Sequence, residues 1–247
     1  MTDMNSYWDF GDPVASERRF REAAKSATTA NPAEASRMTT QIARAVGLQQ
    51  RYPEAHAILD GLEAVGGIAG GADPELAVRI ELERGRLLRS AGDPDAAGPH
   101  FTAAADRAEG FDGLRVDALH MLALVVPIEQ QVAAHERALA LASSSSDPDA
   151  QRWVPSLLNN LGMTYSELED WPAALRVFER ALAIRQRGDD AEATRIAKWM
   201  VGWTLRNLGR REEARAIQRA LKAELDALGE DDPYVVEELE LLDPPPP

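Results

Sequence analysis

Leu158-Asn159-Asn160-Leu161-Gly162-Met163-Thr164-Tyr165, followed by Glu169-Asp170-Trp171-Pro172 and then by Ala174, Val177, Phe178, Ala181 and Leu182, reads as two helices joined by a tight turn. Leu158, Leu161, Tyr165 and Leu168 fall at helical spacing, as do the five apolar residues from Ala174 to Leu182. Proline at the start of the second segment suits a first helical turn, where its missing N–H costs nothing. Gly162 and Ala174 are small where two helix backbones must touch. The stretch is a helical hairpin.

The pattern recurs on both sides. Gly85, Leu88, Ala97, Phe101 and Ala104 repeat it, with Gly92-Asp93-Pro94 in the turn. Ala43, Val46, Tyr52, Ala55, Leu59 and Leu62 form another copy, and Gly202, Leu205, Leu208-Gly209, Ala214 and Leu221 a fourth. In all four the small residue of the first helix (A) and the alanine of the second (B) lie 12 positions apart. A weaker copy lies at 113–142, where His135 takes the place held by Phe178 and the register could slip by one residue. Ser16, Phe20 and Ala23 read as a lone B helix after Gly11-Asp12-Pro13. Pro233 opens a last helix with Val235, Val236, Leu239 and Leu242 on one face and Glu237 and Glu240 opposite.

These residues resemble the tetratricopeptide repeat, whose pattern is W-x2-L-G-x2-Y followed by A-x3-F. Leu158 replaces the tryptophan, Leu161-Gly162, Tyr165, Ala174 and Phe178 match, and the closing proline is missing near Gln186. Repeats of about 40 residues and the ending Leu228-Gly229-Glu230-Asp231-Asp232-Pro233 are similar to the kinesin-light-chain style of array. The resemblance implies an all-α fold, a right-handed superhelix of antiparallel helix pairs. The expected division is a half repeat over 1–30, five pairs over 31–228 (about 32–65, 74–108, 113–142, 154–186 and 192–228), a capping helix over 233–242 and a disordered proline tail over 243–247. Extra residues are assigned to the loops Gly66–Gly71 and Ser143–Pro148.

Composition narrows the function. Hydrophobic residues are 45% of the 247, and 41 acidic residues against 27 basic give a net charge of −14. That charge repels nucleic acid and anionic membranes, so neither is an expected partner. With no cysteine, disulfides and thiolate chemistry are excluded. The start of the sequence lacks a signal-peptide pattern and no apolar run reaches membrane-span length, so a soluble cytoplasmic protein is expected. The four histidines, His56, His100, His120 and His135, lie in separate repeats without metal-ligand spacing. No metal, no cofactor and no catalytic constellation is expected, and the chain reads as a non-enzyme.

The family's inward-facing helix A positions supply the candidate binding residues. In this sequence they include Arg44, Arg79, Arg86, Arg89, His120, Asn159, Asn160, Met163, Trp199 and Trp203. Arginine forks suit carboxylates, and paired asparagines suit an extended peptide backbone. Trp199 and Trp203, four apart, could grip an apolar anchor. Each has a plainer reading: the arginines could pair with Glu81 or Glu83, and the tryptophans could pack against the helix at 233–242. The expected partner is a protein or peptide, acidic or carboxylate-bearing, held in the concave groove. The alternatives are a homo-oligomeric scaffold and a ligand-sensing regulator.

Overall fold

The computed structural model describes residues 4–28, 30–66 and 73–243, so the expected proline tail from Pro244 and most of the Gly66–Gly71 loop lie outside the described residues. Every regular element among the described residues is helical. A 3-10 turn, Met4–Tyr7, precedes α1 (Pro13–Ala27), α2 (Pro32–Leu48), α3 (Tyr52–Gly66), α4 (Pro74–Ser90), α5 (Pro94–Arg107) and α6 (Asp112–Ala123). There follow α7 (Ile128–Ser144), the short α8 (Pro148–Gln151), α9 (Val154–Glu167), α10 (Trp171–Arg185), α11 (Ala191–Asn207), α12 (Arg211–Leu228) and α13 (Pro233–Leu242).

Local chemistry sets the helix starts. Asp12, Asn31, Asp73, Asp93, Asp170, Asp190 and Asp232 each use a side-chain oxygen to accept a first-turn N–H. All but the Asp190 start also carry proline in the first two helical positions. Gly92 (φ 89°) and Gly209 (φ 76°) turn the chain between paired helices, where a side chain would be strained.

The chain divides into two compact units, one of residues 1–130 with 144–151, the other of 131–143 with 152–247. In the first, α1 packs on α2, α2 on α3 and α4, and α4 on α5 and α6. Phe20, Met38, Ile42, Val46, Leu59, Leu76, Ile80 and Leu87 form a core cluster there, and Phe101 is fully buried under Gly85. Where the sequence suggests a loop at Ser143–Pro148, α7 runs on to Ser144 and the extra helix α8 packs on α6. Asp147 Oδ2 accepts the Gly113 N–H at 2.9 Å, and Ser145 Oγ donates to Asp112 Oδ2 at 2.5 Å. In the second unit, α9 pairs with α10, α11 with α12, and α13 closes on α12. Leu175, Phe178, Val201, Leu205 and Leu242 fill one cluster, and Leu221, Leu225 and Val235 the next.

Candidate functional site

The candidate residues lie on the first helix of each pair. In the first unit these are helices α2, α4 and α6. Arg86, on α4, is fully enclosed by carboxylates. Its guanidinium meets both oxygens of Asp117 at 2.5 and 2.6 Å and Glu83 Oε1 at 2.6 Å. Burial disfavours the charge on Arg86, but Asp117 and Glu83 outweigh it and hold the group firmly protonated. The same Glu83 oxygen is 3.5 Å from Gln41 Nε2. Arg79 is tied to Glu75 at 2.8 Å, and Glu75 also receives Arg37 at 3.0 Å.

Arg37 and Arg44 on α2 and Arg79, Arg86 and Arg89 on α4 therefore do not add up to a bare positive field. Arg37, Arg79 and Arg86 are neutralised inside the unit. Arg44 and Arg89 form no ion pair with any described residue. Arg44 is largely desolvated, with its guanidinium carbon 5.2 Å from the centroid of Trp8 and 5.5 Å from that of Phe10. Burial first, and then the charge of Arg86, push its pKa below the usual arginine value. It forms no hydrogen bond with any described residue. His120 is buried on α6, and burial first, then Arg86 and Arg89 against the pull of Asp117, favours its neutral imidazole.

In the second unit the inner side is different in kind. Asn159 and Asn160 are half-buried on α9, with Met163 one turn on and 41% exposed. Neither asparagine side-chain amide makes a hydrogen bond with a described residue. On α11, Trp199 and Trp203 stack at 5.8 Å and 10°. Trp203 meets Trp171 edge-on at 5.2 Å, and Trp199 meets Tyr234 at 6.0 Å. Trp199 Nε1 donates to the Tyr234 carbonyl at 3.1 Å, and Trp203 packs on the cluster that contains Leu242. The tryptophans thus hold α13 in place.

Three contributors escape a reading of the sequence. Trp8 and Phe10 belong to no repeat, and their mutual stacking at 4.8 Å, beside Arg44, has no local signal. Asp117 sits in the weak repeat, whose pattern does not mark it as a counter-ion. Among the described residues no group of three or more His, Cys, Asp or Glu side chains is placed to hold a metal ion. No helix among them is long and apolar enough to cross a membrane.

The sequence profile of the tetratricopeptide repeat matches residues 132–187 and 153–223. No curated protein matches the chain in sequence. Among solved structures it is similar to BtubC (BKLC) from P. vanneervenii, with 19% identity and a TM-score of 0.71 over 92% of this chain and 94% of that one. It is also similar to a signal-transduction ATPase with a tetratricopeptide-repeat sensor from Pyrococcus horikoshii, with 12% identity and a TM-score of 0.73 over 94% and 36% of the two chains. The apo quorum sensor NprR of B. thuringiensis shares 16% identity at a TM-score of 0.62, over 94% and 64%. At these identities the likeness establishes the fold.

Proposed function

Because the chain is a tetratricopeptide-repeat protein, we propose that it is a non-catalytic interaction module that holds a peptide or an extended protein segment against the inner sides of its A helices. The observation that carries this reading is the state of Asn159 and Asn160. Two adjacent amides, each able to donate and accept, stand without a hydrogen-bond partner among the described residues, beside the exposed thioether of Met163. Packing gains nothing from such a pair, whereas an extended backbone offers the complementary N–H and C=O groups. The similarity to a quorum sensor and to a repeat sensor within an ATPase is consistent with a recognition role for this fold.

Within the first unit the ligand chemistry is acidic. Arg44 and Arg89 are the inner-face cations left for a carboxylate, and a desolvated guanidinium binds one more strongly than a hydrated one. Arg79 and Arg86 serve as the rigid frame around them. Nucleic acid is disfavoured by the charge of −14.

Selection from a displayed peptide library tests the reading. The wild-type chain is expected to enrich extended sequences that bind at least about tenfold more weakly to Asn159→Ala/Asn160→Ala, and acidic sequences that bind at least about tenfold more weakly to Arg44→Ala. Failure to enrich any sequence, or equal binding by all three proteins, would overturn it.

A further inference from the structure

Among the described residues, two helices lack a hairpin partner. The 3-10 turn Met4–Tyr7 stands before α1 where an A helix would be, and among the described residues no B helix follows α13. Their exposed faces are opposite in charge. Helix α1 exposes Arg18, Arg21 and Lys25 against Glu22, whereas α13 exposes Glu237 and Glu240 and no cation.

The exposed residues also share a spacing. On α1, Val14, Arg18, Arg21 and Lys25 are exposed and form one stripe, with Val14 58% accessible. Arg18 and Lys25 make no ion pair with a described residue, while Arg21 meets Glu17 at 2.7 Å and Glu54 at 3.5 Å. On α13, Tyr234 (64% exposed), Glu237 and Leu241 (48% exposed) form the matching stripe, with Glu240 beside it. Glu238 is taken by Arg206 at 2.7 Å, but Glu237 and Glu240 are in no ion pair with a described residue. Laid antiparallel, the two stripes run in step. In that arrangement Leu241 would face Val14, Glu237 would face Arg18 and the Tyr234 ring would lie under Arg21.

We propose that a second copy of this chain docks here head to tail, the acidic face of α13 in one copy against the basic face of α1 in the next. A chain of charge −14 repels its own copies over most of its surface. Helix α1, with four cations against two carboxylates, is a place where that repulsion reverses, and its exposed stripe matches that of α13 in spacing as well as in charge. The two surfaces differ, which makes the contact heterologous: it builds an open row or a ring. It uses none of the residues proposed to hold a peptide.

Sedimentation velocity over a wide range of protein concentration tests this. At low ionic strength the wild-type mass is expected to rise with concentration, and added salt should reverse the rise. Glu237→Lys/Glu240→Lys and Arg18→Glu/Lys25→Glu should each weaken association by about tenfold or more, with helical circular dichroism unchanged. An equal mixture of the two reversed proteins should associate again, since each then supplies the charge the other lacks. A wild-type chain that stays monomeric at every concentration would overturn the proposal. Reversed proteins that associate like wild type, or a mixture that remains monomeric, would overturn it equally.

Discussion

The ring of Phe178 occupies the space that a β-carbon on Gly162 would need, with ring atoms 2.5 to 2.8 Å from its ideal position. Gly85 and Phe101 stand in the same relationship, again 16 residues apart and with a nearest approach of 2.5 Å. Both of these hairpins are closed by an aromatic ring seated on a bare backbone. Gly162→Ala should therefore destabilise the protein by about 1–3 kcal/mol, since a packed ring must move. Gly98 lies in α5 with nothing near its missing β-carbon, so Gly98→Ala should stabilise by about 0.5–1 kcal/mol. Urea unfolding of the two variants checks the contrast, and equal shifts would refute the ring-on-glycine account.

The last pair breaks this rule in an instructive way. Gln218 holds the place of the ring opposite Gly202, is fully buried, and leaves Oε1 without a hydrogen bond from any described residue. Its Nε2 has only a 3.5 Å contact to the Trp199 carbonyl. A half-satisfied buried amide costs about 1–3 kcal/mol. Gln218→Leu, the residue found at the equivalent Leu59, should raise the urea midpoint with an unchanged slope.

Arg86 and Asp117 are each below 15% exposed, as their side-chain accessibilities of 12% and 14% show. Asp117→Ala would leave a buried guanidinium with Glu83 alone, and should cost about 3–5 kcal/mol. Chemical unfolding measures this directly. A loss below about 1 kcal/mol would mean that the pair behaves like a surface ion pair.

Glu17 links the first helix to the turn after α2 through Gln49 and Arg51, each at 2.8 Å, and pairs with Arg21 at 2.7 Å. Burial opposes its ionisation, but the hydrogen bonds from Gln49 and Arg21 and the nearby charges prevail, so its carboxyl sits below the usual range. The folded form thus holds a proton less readily than the unfolded form. The resulting stability is fully present above the unfolded pKa of about 4.3, and is lost as pH falls through the lower folded value. Melting temperatures of wild type and Glu17→Gln should differ at neutral pH and converge in acid. A gap independent of pH would show that the carboxylate charge is not involved.

The helix pairs were legible because their determinants are local. A small residue every helix pair, an Asp-Pro start and a glycine turn all act within one hairpin. The inner side was legible only in part. Position along α4 identifies Arg86 as inward-facing, but its neutralisation depends on Asp117, 31 residues away on a helix whose repeat pattern is weak. Arg44 was likewise visible, while the Trp8 and Phe10 rings beside it come from a segment with no repeat signal. For Trp199 and Trp203 the packing reading has a concrete basis in the hydrogen bond to the Tyr234 carbonyl. Helix α8 is invisible for a different reason: four residues carry no periodicity.

The central claim is that the A-helix side is the working surface. A photo-crosslinking amino acid placed at Met163, on the inner side of α9, and separately at Arg180, exposed on the B helix α10, tests it most directly. In extract of the source cell, Met163 should give discrete crosslinked partners and Arg180 none. Partners captured from Arg180 with nothing from Met163 would contradict the account.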